Sequence, residues 1–272
     1  MNELFIVYQY AFILCVVMAF PLSAAGAFIV ARKEGLQVLA LAQAALAGGL
    51  LARIIFAEQN ESFKVVLFSW LFLLLTKVFF LKVDGIYKLR ESFFVSIYVF
   101  LTSFCFLLIS ILPMLESHMA MGFFGDIISL DDTRSLIYSG GFAFFTLMIF
   151  VQRKSLILAA FEKTVLGMNK KCWMREIILT GIIIFSLSGL GILFTMAAMI
   201  IPAVFIGERG KSLKQNVILM GISVVLSSCL GMAISIWHER LSTVSIQIFF
   251  LLVFSLLIGL CFRSNNHGKS AG

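Results

Sequence analysis

The sequence predicts an all-α fold, a polytopic bundle of transmembrane helices. Hydrophobic residues make up 61% of the 272 residues, and 29 of them are phenylalanines. Charged residues make up 13%, about half of the fraction usual in a soluble domain. Apolar runs long enough to cross a bilayer recur along the chain. We therefore expect one transmembrane domain over residues 1–272, surrounded mostly by lipid.

Eight apolar runs predict about eight spans. The first run is interpreted as a span and not as a removable signal, because no basic segment precedes it. The runs lie at roughly 5–31, 36–57, 63–82, 93–115, 136–152, 176–206, 215–237 and 243–262.

Basic residues in the short loops predict the orientation of the spans, since cytoplasmic loops are enriched in Lys and Arg. Arg32 and Lys33, the segment 82–92 and the loop 153–176 are basic and are therefore expected inside. The N-terminus is then external, and the tail 262–272 is cytoplasmic. Two isolated cations near span ends, Arg53 and Lys77, are expected to extend toward the membrane surface.

The sixth run, 176–206, is predicted to be a broken helix pair. It is too long for one span and is interrupted by "SLSGLG", which contains Gly189 and Gly191. Glycine is conformationally permissive, and serine bonds back to the backbone, so both favour a break. We expect a second, short helix to return to the cytoplasm, with Pro202 at its bend or end. Such irregular backbone must be buried in protein or line a cavity.

Composition and motifs exclude several functional classes. The net charge of +7 is carried by short loops. It is therefore explained by the orientation of the chain in the membrane and does not indicate a nucleic-acid partner. No phosphate-binding glycine loop, nucleophile elbow or H-E-x-x-H motif is present, so we expect no enzyme, and ATP must bind to another chain. The five cysteines are scattered without a C-x-x-C pair and are interpreted as small apolar packing residues. They are Cys15, Cys105, Cys172, Cys229 and Cys261.

Four segments, taken in order, resemble a known family. They are "GAFIVARKEGLQVLALAQAALAGG" from Gly26, "FFGDIISLDD" from Phe123, "FEKTVLGM" from Phe161 and "GILFTMAAMIIPAVFIGE" from Gly191. Their order and spacing resemble those of the membrane-spanning permease subunits of bacterial ABC importers for zinc and manganese. No single segment decides the resemblance, which covers nearly the whole chain.

The resemblance implies the function and the partners. The chain would be a permease in the bacterial cytoplasmic membrane that moves a divalent transition metal ion and holds no cofactor. It would act with a cytoplasmic ABC ATPase subunit, a second permease copy or paralogue, and an extracytoplasmic metal-binding protein. The alternative is a degenerate permease paralogue with non-metal cargo, or a membrane partner that does not transport.

The resemblance also gives a role to the basic segment after Pro202. In this family a short cytoplasmic helix docks on the ATPase and transmits its movement. That helix would lie in the coupling segment, residues 207–214. Its candidate residues are Gly207, Glu208, Arg209, Lys211 and Lys214.

The second span departs from the family. The family carries an Asp and, four residues later, a His on one helix face, and this chain has Leu39 and Gln43 there, with Gln37 nearby. Leucine cannot ligate a metal, and an amide oxygen is a weak ligand for a transition metal. Three explanations remain open. A different partner permease supplies the ligands, the cargo is not a metal, or the pathway needs no tight site.

Three further residues are weak candidates for metal ligands on the outside. His118 and Asp126 lie in a segment that also contains Met114, Met119 and Met121, and His238 precedes Glu239. Methionine and histidine together suit soft or borderline metals. The competing interpretation is a capped external loop whose methionines pack on the membrane surface.

Overall fold

The structure is a computed structural model. It describes residues 8–56, 62–83, 90–125, 127, 130–158, 173–207, 212–238 and 241–267.

The described residues are almost entirely helical, which confirms the predicted fold class. A short 3-10 turn, Pro113–Leu115, lies between two of the helices. The helices are α1 (Gln9–Ala31), α2 (Gly35–Ile55), α3 (Ser62–Val83), α4 (Arg90–Ile111), α5 (Glu116–Phe124), α6 (Asp132–Val151), α7 (Trp173–Leu190), α8 (Ile192–Ile206), α9 (Leu213–Trp237) and α10 (Thr243–His267).

Seven helices of the described part are long and apolar enough to cross a membrane: α1, α2, α3, α4, α6, α9 and α10. Two shorter apolar helices, α7 and α8, occupy the predicted broken run. The protein is therefore a multi-pass membrane protein, and its one long interrupted run is divided between two helices.

Helices α1 and α2 form the centre of the bundle. Within their most apolar windows 67% and 61% of the residues are buried, against 11% for α3. α1 packs against α6, α8 and α9, whereas α2 packs against α3 and α4. Many large apolar side chains of α3 and α4 are exposed, among them Leu75, Phe100 and Phe106, as expected for helices that face lipid.

A tight turn joins α1 to α2. The Lys33 amide donates to the Val30 carbonyl and the Glu34 amide to the Ile29 carbonyl, at 3.0 and 2.9 Å. Lys33 takes a positive φ of 55°, the left-handed conformation that commonly ends helices. The turn reverses the chain within three residues and places Arg32 and Glu34 beside each other.

The segment after α4 differs from the external loop that the sequence predicts. Pro113 opens the 3-10 turn, because a proline at a first helical position loses no hydrogen bond. The chain then forms α5, which ends at Gly125. Met119 is buried, while Met114 and Met121 are exposed, so the methionines of this segment do not converge on one face.

Candidate transport and coupling site

The broken helix pair is present, and its break lies at Gly191. α7 ends at Leu190 and α8 begins at Ile192, while Gly191 has φ 78° and ψ 168°. Only glycine adopts this conformation at low cost. Gly189 is still helical, in the last turn of α7, where Tyr138 donates a hydrogen bond of 3.0 Å to the Ser188 carbonyl. The predicted break near Gly189 to Gly191 is therefore confirmed.

A second glycine, Gly125, packs against this break. Gly125, at the end of α5, has φ 62° and ψ 174°, and its backbone touches that of Leu190 and Gly191. A Cβ atom at either glycine would collide with the backbone of the other segment. Residues 124 and 125, here called the 124–125 corner, therefore sit directly on the start of α8.

α8 returns toward the side of the bundle where α7 starts. Ala203 and Ile206 pack with Ala27 and Val30 near the end of α1. Glu176, near the start of α7, lies close to Arg32, the residue that follows α1. Both outer ends of the broken pair thus lie at the same end of α1, which agrees with a helix that enters the membrane and comes back.

The sequence predicts Pro202 at the bend or at the end of the returning helix, and the structure shows that it does not end the helix. It lies inside α8, which continues to Ile206. A proline removes one backbone hydrogen bond, and in membrane helices the neighbouring helices compensate for that loss. Pro202 is buried in such packing, and α1 contains an internal proline as well, Pro21.

The coupling segment is fixed at both of its ends. Its first residue, Gly207, accepts a hydrogen bond from the Asn216 side-chain amide across the segment. At the other end, the Ser212 hydroxyl accepts from the Gln215 amide at 3.2 Å and caps α9. Lys214 is exposed in the first turn of α9. Glu208, Arg209 and Lys211 lie outside the described residues.

The residues of the second span that differ from the family pattern pack against other parts of the same chain. Gln43 is fully buried, and its side-chain amide points at the Cys105 sulfur of α4 at 3.8 Å. Its Oε1 accepts no hydrogen bond within the described part of the chain. Leu39 is half-buried against the main core, and Gln37 is buried. Within this chain, α4 and the core cover Gln43 completely and Leu39 in part.

Four charged side chains meet at the end of the bundle where α7 starts, and no sequence pattern singled them out. We call Arg32, Glu34, Lys77 and Glu176 the four-charge cluster. Arg32 lies 2.8 Å from Glu34 and 4.0 Å from Glu176, and Lys77 lies 2.7 Å from Glu176. Lys77 is thus a largely buried ion-pair partner at this end of the bundle, and its extension toward the membrane surface stays a prediction. The cluster links the α1–α2 turn, α3 and the first helix of the broken pair.

The external metal candidates do not form a site in the described residues. No group of three or more His, Cys, Asp or Glu there is arranged to hold a metal ion. His238 is exposed at the end of α9 and stacks on Trp237, with ring centroids 6.5 Å apart. Asp126 lies outside the described residues. His118 instead faces Arg53 of α2, a positive charge that disfavours a metal cation there.

The contact with Arg53 defines the protonation of His118. Arg53 Nη1 lies 3.3 Å from His118 Nε2, and a guanidinium group only donates hydrogen bonds. Nε2 must therefore accept, and the neutral ring carries its proton on Nδ1. Nδ1 is buried and has no hydrogen-bond partner among the described residues. Burial, and then the Arg53 charge, lower the pKa of His118.

We expect this depressed pKa to make stability depend on pH. As the pH falls below about 6.5, the unfolded chain takes up a proton that the folded His118 resists, so the folded state loses stability. The melting temperature of the wild type in detergent should therefore fall more between about pH 7.5 and 5.5 than that of His118→Gln. The exposed His238→Gln should behave like the wild type. Equal pH dependence in wild type and His118→Gln would contradict the burial of a neutral ring.

A bundle of apolar spans around an interrupted helix pair defines a polytopic membrane protein. Comparison with known families identifies it further. The sequence matches the ABC 3 transport family (ABC-3) over residues 5–262, and the chain therefore belongs to that family. This confirms the resemblance to the membrane-spanning permease subunits of metal-type ABC importers.

A solved structure shows the same fold. PsaBC from Streptococcus pneumoniae, in complex with Fab, matches with a TM-score of 0.73 and 23% sequence identity. The match covers 95% of this chain and 95% of that chain. Comparison with curated proteins gave no match.

Proposed function

We propose that the chain moves a divalent transition metal ion of the zinc or manganese type across the bacterial cytoplasmic membrane. Its work would be driven by ATP hydrolysis on a separate cytoplasmic ATPase subunit. The family match over residues 5–262 carries this proposal. The returning helix α8 supports it, because it connects the interior of the bundle directly to the basic coupling segment.

The proposed assembly contains two permeases, a copy or a paralogue of this chain being the second, together with an extracytoplasmic metal-binding protein. The basic loops support a cytoplasmic coupling segment. The N-terminus is then external and the tail 262–272 cytoplasmic. In this orientation the 124–125 corner lies on the side of the metal-binding protein and the four-charge cluster on the side of the ATPase.

The packing of Gln43 and Leu39 favours a pathway without a tight metal site in this subunit. Gln43 is fully buried against Cys105 of its own chain, so it offers the cargo no open ligand in this conformation. Weak binding in transit allows fast release. Selection of the metal would then rest with the external binding protein or with a second, different permease.

A charge reversal in the coupling segment tests the proposed function. We expect Arg209→Glu combined with Lys211→Glu to abolish metal uptake into vesicles that contain the full complex, while the ATPase subunit still hydrolyses ATP. Reversed charges at an interface cost several kcal/mol through repulsion. Uptake of zinc or manganese and phosphate release are measured on the same vesicles.

Lys214→Glu is expected to have a weaker effect, because Lys214 is the second residue of α9 and lies beyond the loop. A cysteine at position 211, in a chain whose Cys172 and exposed Cys261 are both changed to serine, should react with an impermeant thiol reagent from the cytoplasmic side alone. Normal uptake by the double variant, or labelling of position 211 from outside, would refute the coupling role.

The alternative function, a degenerate permease without metal cargo, rests on the absent Asp and His of the second span. It predicts normal membrane insertion with no zinc or manganese uptake by the wild-type complex. Uptake by the wild type that is lost in the charge-reversal variant would exclude it.

A further inference from the structure

Two cysteines and two methionines lie at matching positions on α1 and α9. Cys15 and Met18 are three residues apart on α1, and Cys229 and Met232 are three residues apart on α9. Residues at this spacing share one helix face. The chain thus carries the pattern Cys-x-x-Met twice, on two helices that pack against each other.

The two pairs face each other. The sulfur atoms of Cys15 and Met232 lie 3.9 Å apart. α1 and α9 run antiparallel, because Ala27, late in α1, packs in a cluster with Met220, early in α9. One step of three residues along each helix from the Cys15–Met232 contact therefore leads to Met18 and Cys229. Cys229 lies near enough to Cys15 for the two thiol groups to interact electrostatically.

The environment suits a metal ion with sulfur ligands. Cys15, Met18 and Met232 are fully buried, and Cys229 is half-buried. Two sulfur ligands of a tetrahedral metal ion are separated by about 3.8 Å when each metal–sulfur bond is about 2.3 Å. The Cys15–Met232 distance of 3.9 Å is close to this value, and in the metal-free chain the Cys15 thiol donates a hydrogen bond to the Met232 sulfur across it.

We propose that Cys15, Met18, Cys229 and Met232 form a buried site for one soft, thiophilic cation, Cu(I), between α1 and α9. Thiolate and thioether sulfur select such ions over harder ones. Cu(I) enters as one positive charge and one thiol proton leaves, so the charge of the buried site does not change. This balance avoids the cost of an uncompensated charge in an apolar interior. The site is distinct from the second-span position of Leu39 and Gln43, and it does not depend on which cargo the protein carries.

Copper titration of the purified full-length chain in detergent tests the site. Cu(I) is added anaerobically, in competition with a chromogenic Cu(I) chelator. The wild type is expected to take one Cu(I) per chain, with sulfur alone in the first coordination shell by X-ray absorption. Cys15→Ala and Cys229→Ser should not bind this Cu(I), and Met232→Leu should bind it more weakly. Zn²⁺ at the same concentration should not displace it.

The chain offers matched controls. Cys105→Ser, Cys261→Ser and Met220→Leu change the same residue types elsewhere and should keep the bound Cu(I). If a core variant fails to fold, alkylation of the wild type decides instead: Cu(I) should protect Cys229 from a maleimide and leave the exposed Cys261 reactive. No bound Cu(I) in the wild type, binding unchanged by Cys15→Ala and Cys229→Ser, or equal protection of Cys261 would overturn the proposal.

Discussion

Gly191→Ala should unfold or severely destabilise the permease, with a loss of about 3 kcal/mol or more. The backbone conformation alone costs any other residue about 1–3 kcal/mol. The new Cβ would also collide with the backbone of Gly125 and Phe124, which cannot move aside as the tip of a flexible side chain can. The melting temperature of the purified protein in detergent, and its recovery from the membrane, measure the effect.

Gly140→Ala is the control for this substitution. Gly140 lies within α6, and a Cβ there would meet no atom within 4 Å. Alanine is the better helix former by about 0.5–1 kcal/mol, so this variant should be as stable as the wild type or slightly more so. A Gly191→Ala protein with the melting temperature of Gly140→Ala would show that the break does not need glycine.

Lys77→Met should produce the second large effect, a loss of about 3 kcal/mol. The variant removes the 2.7 Å partner of Glu176, and both side chains are only 12% exposed. Removing one member of a buried ion pair costs about 3–5 kcal/mol, because the remaining charge stays in a poorly solvated place. Thermal unfolding in detergent would report the loss.

Two companion variants separate the charge from the packing. Lys77→Arg keeps the positive charge and should retain most of the stability. Lys77→Met together with Glu176→Gln also removes the carboxylate that has lost its 2.7 Å partner, and it should recover part of the loss, since Arg32 keeps Glu34 at 2.8 Å. Arg134→Met breaks an ion pair with Asp131 in which the two side chains are 59% and 80% exposed, and it should have a small effect. A double variant less stable than Lys77→Met would contradict the account.

Hydropathy and loop charge were sufficient to predict the helical bundle and the interrupted run. The run 176–206 exceeds the length of one span, and "SLSGLG" contains the residues that tolerate a break, so both the split and its position near Gly191 followed from local properties. The spacing of Leu39 and Gln43 predicted that they share a helix face. It did not predict which neighbour that face meets, and the structure shows Cys105 of α4.

The four-charge cluster was beyond local reasoning because its members are far apart in sequence. Arg32, Lys77 and Glu176 each looked like an ordinary charge at the end of a span. Their association depends on how three helices pack, which periodicity does not encode. The helix α5 was missed for another reason. Its nine residues are too few and too mixed in polarity to show a helical period, and only Pro113 and Gly125 mark its limits.

The position of α8 has a thermodynamic consequence. Its 15 residues extend over about 22 Å at 1.5 Å per residue. It starts at the 124–125 corner and ends at the coupling segment. In the proposed assembly, a position of α8 that the ATPase favours therefore also changes the contacts at the 124–125 corner. Linkage is reciprocal. If one nucleotide state of the ATPase raises the affinity for the external metal-binding protein, then binding of that protein must favour the same nucleotide state by the same free energy.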